Sequence, residues 1–257
     1  DHWTEFFARQ PELQAYFSDV AVRHGLLEHI RFDTAVTGAV WNDADSTWAV
    51  TVESSGGEPD TLRARAVICA VGQLNQPFVP DIPGAQSFSG PAFHTARWDD
   101  DVDISGTNVA MIGAGATGFQ VAPAIADTVN RLTIFQRTAQ WMFPNPDYHK
   151  AVGPGMRWAL KHLPFYGRWY RFLVFWPGCD TGLVAAIVDP AWPDQQRAVS
   201  QANDLARMMF TEWITSQLDG DDELAAKVVP DYPATGKRTL QDNGSWLRTL
   251  RRDNVEL

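Results

Sequence analysis

The sequence predicts an α/β fold organised around a parallel βαβ unit, and three observations predict it. The apolar run Asn108-Val109-Ala110-Met111-Ile112 reads as a buried strand. It leads into Gly113-Ala114-Gly115-Ala116-Thr117-Gly118, a G-x-G-x-x-G turn that opens a helix. A second run, Arg131-Leu132-Thr133-Ile134-Phe135, follows at the spacing of a crossover. Each glycine has its own task in such a turn. Gly113 permits the tight reversal, Gly115 lets a phosphate approach the backbone, and Gly118 lets the helix pack close to the strand. The helix start presents unpaired N–H groups and a positive dipole end, the physical basis of pyrophosphate binding. The pattern therefore predicts a Rossmann-like cofactor site formed by Gly113, Ala114, Gly115, Ala116, Thr117 and Gly118, with Phe119 and Gln120 in the same first turn. Pro123 lies inside that helix and, having no N–H to give, is expected to kink it.

At the end of the second strand, an NAD site would hold a carboxylate for the ribose hydroxyl. This chain has Gln136-Arg137-Thr138 instead. The guanidinium of Arg137 beside the hydroxyl of Thr138 suits a 2′-phosphate, so the expected dinucleotide is NADPH.

The other elements follow in chain order. Residues 1–30 read as helical, with a helix expected over Thr4 to Arg23, because Phe6, Phe7, Leu13, Tyr16, Phe17 and Val20 recur at helical intervals. Val36, Gly38 and Val40, then Trp48, Val50 and Val52, alternate about the turn Asn42-Asp43-Ala44-Asp45, which predicts a β-hairpin. A strand is expected from Ala64 to Val71, ending in Gly72-Gln73. Pro77, Pro80 and Pro83 make the following stretch extended, and a domain junction is expected between about residues 75 and 105. Residues from about 145 to 225 read as a Trp-rich helical insertion. Within it, Phe165 to Trp176 reads as a buried or half-buried helix, with a pocket wall or a membrane-surface helix as the alternative; it is too short and too basic at Arg168 and Arg171 to span a membrane. Pro230 to Arg238 is an irregular loop, Trp246 to Arg252 a short helix, and Asn254 to Leu257 a strand.

Composition narrows the function classes. A formal net charge of −10 with no basic run argues against a nucleic-acid partner. Cys69 and Cys179 form no C-x-x-C pair, which disfavours a disulfide framework or a disulfide reductase and fits a cytoplasmic setting. The histidines form no metal-ligand pattern, so no metal is expected. The chain starts at Asp1 within an expected helix and ends at an expected strand, so it reads as an internal piece of a longer protein.

Several separated motifs together carry a family resemblance. Phe88-Ser89-Gly90-Pro91-Ala92-Phe93-His94-Thr95-Ala96-Arg97-Trp98-Asp99 fits F-x-G-x-x-x-H-x-x-x-W-[PD]. It stands with Ala70-Val71-Gly72-Gln73, the glycine turn with Gln136-Arg137-Thr138, and Pro230-Asp231-Tyr232-Pro233-Ala234-Thr235-Gly236-Lys237-Arg238. In this order they closely resemble the flavin-dependent Baeyer–Villiger monooxygenases, over nearly the whole chain. The stretch Trp141 to His149 resembles most the hydroxyacetophenone monooxygenase branch.

The resemblance implies a Rossmann-like flavoprotein with two dinucleotide-binding domains, incomplete in this chain. Residues 1–100 would be the later part of an FAD-binding domain, carrying the hairpin insertion and the fingerprint. Residues 101–257 would be the NADPH-binding domain with its helical insertion. It implies the cofactors FAD and NADPH, a ketone and O₂ as substrates, and an ester or lactone as product. By the same resemblance Arg238 matches the catalytic arginine, Lys237 and Arg137 hold the 2′-phosphate beside Thr138, and Gly72 and Gln73 lie against a cofactor. An arginine suits that catalytic post because it stays protonated when partly buried. His94 would be a linker residue setting domain orientation, or a backbone hydrogen-bonder, and not a general base. The family's FAD-binding G-x-G-x-x-G is absent from this chain. An N- or S-oxygenating flavin monooxygenase, and a non-catalytic NADP-binding fragment, remain open alternatives.

Overall fold

The computed structural model describes residues 3–72 and 74–257. It divides into two compact units. One is Gln10–Asp99, and the other joins the described part of Asp1–Arg9 to Asp100–Leu257.

The Gln10–Asp99 unit holds α1 (Gln10–Arg23), β1 (Thr34–Asn42), β2 (Thr47–Ser54) and β3 (Asp60–Ala64). The strands form an antiparallel meander in the order β1-β2-β3. The expected hairpin is β1–β2. Asn42 Oδ1 accepts the Ala44 N–H at 3.0 Å to shape its turn, and Trp41 and Trp48 meet edge-on across the pair with ring centres 5.5 Å apart. Val50 and Val52, on one face of β2, are its buried residues.

Two expectations in this region are corrected. The first helix starts at Gln10 and not Thr4. Pro11 sits in its first turn, a position where a missing N–H costs nothing, whereas further inside a helix it would break the ladder. The residues before it are extended: Phe6 N–H donates to Lys150 O at 3.0 Å and Val152 N–H to Thr4 O at 2.9 Å. The strand expected over Ala64–Val71 is instead β3, and it ends where it was to begin. β3 runs alongside β2 only as far as the Ala64–Trp48 pair. Beyond it no described strand pairs with residues 66–71, and Ile68 is 90% exposed. An apolar run becomes a strand only when a neighbour takes up its backbone groups.

The larger unit holds β4 (Asn108–Ile112), α2 (Ala116–Ile125), β5 (Arg131–Phe135), β6 (Met142–Pro144), α3 (Pro154–His162), α4 (Tyr166–Trp176), α5 (Gly182–Val184), α6 (Gln201–Thr215), α7 (Asp222–Val228), β7 (Leu240–Asp242), α8 (Ser245–Leu250) and β8 (Val255–Glu256). β4, β5 and β8 form a parallel sheet in that order, and β6 pairs parallel with β7. This is the expected α/β architecture, with the expected helices, α3 to α7, inserted between β6 and β7.

Period-2 burial in β5 puts Leu132 and Ile134 into the core at 0% and 2% exposure. From α2, Phe119 and Ala122 pack toward the core, followed by Ala126 just past its end; Trp246, Leu247 and Leu250 come from α8. Phe119 stacks on Trp246 with ring centres 5.2 Å apart. Each such large side chain contributes roughly 1.5–3 kcal/mol. α2 runs on past Pro123 and ends two residues later at Ile125, so the lost donor falls in its last turn.

α4 departs from expectation. None of its residues is buried; Trp169 is 59% and Phe175 66% exposed. Its rings pack on each other along one face instead, Trp169 on Phe172 and Phe172 on Trp176, each at 5.4 Å. No described helix is long and apolar enough to cross a membrane.

Candidate functional site

The glycine turn sits at the carboxyl end of β4, where an open parallel sheet places its ligand. Gly113 has φ +109°, a conformation that side chains disfavour. Its N–H donates to Phe135 O at 2.9 Å, which joins the turn to the end of β5. A Cβ on Gly118 would lie 2.2 Å from Gly113 O, so only glycine lets α2 close on the turn. A Cβ on Gly115 would meet nothing within 4 Å. Gly115 is the N-cap of α2 and brings no side chain to its free N–H groups. A backbone open to approach beside an uncapped helix start fits the pyrophosphate of a dinucleotide.

The other residues of the turn divide by role. Thr117 is exposed, Ala116 half-buried and Ala114 buried. Phe119 faces the core and its N–H is spent on Gly115 O at 2.9 Å, so its part is packing. Gln120 is exposed and its amide donates to Ala116 O at 2.9 Å.

Beyond β5 the chain carries Arg137, exposed, and Thr138, half-buried. Their backbone is held from both sides. Gln136 Nε2 donates to Lys227 O at 2.8 Å before them, and Gln140 Nε2 donates to Thr138 O at 2.9 Å after them. The loop Pro230–Arg238 is then tied to the same segment by Tyr232. Its hydroxyl donates to Ala139 O at 2.9 Å, and its own carbonyl accepts Trp141 Nε1–H at 3.2 Å. Lys237 Nζ lies 4.4 Å from the centre of the Tyr232 ring, a cation–π contact. Hydrogen bonds thus link the glycine turn to the end of β5, and the Pro230–Arg238 loop to the β5–β6 connection that carries Arg137 and Thr138. Lys237 and Arg238 are exposed, and the charge of Arg238 reaches Tyr148. Burial pushes the Tyr148 phenol above its ordinary pKa, with Arg238 and Arg9 opposing, and burial likewise raises Tyr232.

α6 holds this loop from beneath through residues the sequence did not single out. Asn203, 0% exposed, donates to Ala234 O at 2.6 Å. One turn on, Arg207 Nη2 donates to Pro230 O at 3.3 Å with its guanidinium 5.6 Å from the Trp141 ring. Burial lowers the Arg207 pKa from its ordinary value, and its Nε is buried without a hydrogen-bond partner among the described residues.

In the Gln10–Asp99 unit, the fingerprint residues fold onto one another. Gly90 is small enough for the Phe88 ring, which lies 2.7 Å from where a Cβ would stand. Phe93 meets Trp98 edge-on at 5.1 Å. His94 Nδ1 accepts the Ala96 N–H at 3.0 Å and caps the short turn Thr95–Arg97, as a backbone hydrogen-bonder does. Gly72 is exposed with φ +76°, and Gln73 lies outside the described residues. G-x-G-x-x-G occurs once in the chain, at Gly113–Gly118, and among the described residues no second turn of this kind leads from a strand into a helix.

The model of a family described as FMO-like, flavin-binding monooxygenase-like, matches residues 1–149. An uncharacterized monooxygenase, y4iD, of Sinorhizobium fredii is 40% identical over 256 residues, 100% of this chain and 38% of its own length. A Baeyer–Villiger monooxygenase of Streptomyces coelicolor is 36% identical over 99% of this chain and 45% of its own. Among solved structures, OTEMO in complex with FAD and NADP superposes with a TM-score of 0.79 at 27% identity, covering 100% of this chain and 52% of that one. The chain spans about half or less of the length of these relatives.

Proposed function

Because the chain belongs to the flavin-binding monooxygenase-like family, we propose that its Asp100–Leu257 unit is the NADPH-binding part of a Baeyer–Villiger monooxygenase. The observation that carries this reading is the Tyr232 hydroxyl bond to Ala139 O, which tethers the Lys237 loop beside Arg137–Thr138. Two cations and a hydroxyl would then stand near a glycine turn that the Gly113–Phe135 bond links to the end of β5. That is the charge pattern a 2′-phosphate requires and a bare ribose hydroxyl does not.

The free N–H groups at the start of α2 would hold the pyrophosphate, with Gly113, Gly115 and Gly118 keeping the backbone accessible. Arg137, Thr138 and Lys237 would hold the 2′-phosphate. When bound, NADPH supplies a hydride. Arg238, next to Lys237, would offer a fixed positive charge where negative charge develops in oxygen transfer. FAD, the ketone and O₂ belong to this reading through the family and its relatives, the glycine turn being taken up by NADPH. The match of Phe88–Asp99 to the family's fingerprint favours ketone oxidation over N- or S-oxygenation. The stretch Trp141–His149 resembles most the hydroxyacetophenone branch, which makes aryl ketones the substrates to try first.

Isothermal titration of the protein with NADP⁺ and with NAD⁺ tests the reading. Tighter binding of NADP⁺ is expected, and equal affinities would overturn it.

A further inference from the structure

We infer that Asn203 is a positioning residue for cofactor selection: buried in α6, it holds the turn Ala234–Thr235 in the one conformation that delivers Lys237 to the 2′-phosphate. The inference rests on the proposed function for the identity of that phosphate.

The geometry is specific. Asn203 Nδ2 lies 2.6 Å from Ala234 O, 2.7 Å from Ala185 O and 3.2 Å from Thr235 Oγ1, while its Oδ1 accepts the Val199 N–H at 3.3 Å. One fully buried amide therefore joins α6, the segment between α5 and α6, and the Pro230–Arg238 loop. The turn it holds is strained: Thr235 has φ +61°, and β-branched residues rarely enter the left-handed region. Such a conformation persists only where surrounding bonds over-determine it. Thr235 Oγ1 completes the clamp by donating to Ala185 O at 3.2 Å. Lys237 follows two residues later, so this turn sets where its backbone starts, and the Tyr232 ring then holds its Nζ at 4.4 Å. Arg207 fastens the other end of the loop at Pro230 O. An apolar core residue could fill the Asn203 position, but it would leave the buried carbonyl of Ala234 without its donor.

The test is a double-variant cycle read by NADP⁺ and NAD⁺ affinity. Lys237→Ala alone should lower the NADP⁺ to NAD⁺ affinity ratio; no change there would overturn the phosphate reading and this inference with it. Asn203→Ala should lower the ratio by about ten-fold, the equivalent of one charged hydrogen bond, and leave NAD⁺ affinity unchanged. In the Lys237→Ala background, Asn203→Ala should lower the ratio no further, because the two act through one group. If Lys237→Ala lowers the ratio and Asn203→Ala leaves it intact, or lowers both affinities alike, the positioning role is overturned while the phosphate reading stands. Should Asn203→Ala fail to fold, Asn203→Ser carries the test, since it keeps a polar side chain at the position and removes the Nδ2 donor to Ala234 O and Ala185 O. It should also reduce the ratio, and an unchanged ratio overturns the inference.

Discussion

Lys237 Nζ stands 4.4 Å above the ring of Tyr232, whose hydroxyl is bonded to Ala139 O. One tyrosine thus holds a cation on its face and the β5–β6 connection at its tip. Tyr232→Phe keeps the ring and loses the bond, so a stability loss of about 1 kcal/mol is expected, with a weaker preference for NADP⁺. Denaturant titration and cofactor titration check the two effects. Burial raises the Tyr232 pKa, so the unfolded chain loses this proton first as pH rises. Its stabilisation is present below about pH 10 and is lost above it. The Tyr232→Phe variant should show a shallower alkaline decline in stability than the parent.

Arg137→Ala should weaken NADP⁺ binding by roughly 1.5–3 kcal/mol before screening and leave NAD⁺ binding almost unchanged. Calorimetry with both dinucleotides decides it. An equal loss for both would make Arg137 a structural residue.

The glycines of the turn should separate folding from binding. Gly118→Ala puts a methyl 2.2 Å from Gly113 O and forces α2 off the turn, costing about 1–3 kcal/mol as well as cofactor binding. Gly115→Ala meets no atom within 4 Å, so its stability should match the parent. Its dinucleotide affinity should still fall, because the methyl stands where a phosphate would approach. Thermal melts set beside titrations distinguish the two outcomes.

Arg238→Ala, made in the full-length flavin-loaded protein, should retain the flavin spectrum and lose ester formation from a ketone by roughly 100-fold or more, as loss of one charge-stabilising donor does. Product analysis beside the absorbance spectrum checks it. A normal ester yield would remove Arg238 from the chemistry.

The βαβ unit was legible because its signals are local: a strand, three glycines and a helix start lie within one short segment. The hairpin was legible from alternation about Asn42–Asp45. Residues 66–71 were misread because an apolar run looks the same whether or not a partner strand exists. The first helix was misplaced because Pro11 was outweighed by aromatic spacing that continues to either side of it. At the site, Gly113–Gly118, Arg137 and Lys237 could be picked out by residue type and motif. Asn203 and Arg207 could not, because their partners Ala234 and Pro230 lie 31 and 23 residues away and a helical asparagine or arginine carries no sign of them.

The Gly113–Phe135 and Tyr232–Ala139 bonds each use a main-chain carbonyl, and none of Arg137, Thr138 or Lys237 lends a side chain to them. On the proposed reading, these main-chain bonds are therefore distinct from the exposed side chains that would tell one dinucleotide from another. Cofactor choice would then be open to revision at Arg137 and Lys237 without touching either bond. Natural drift or laboratory selection toward NADH could proceed there in small steps, with each intermediate still folded.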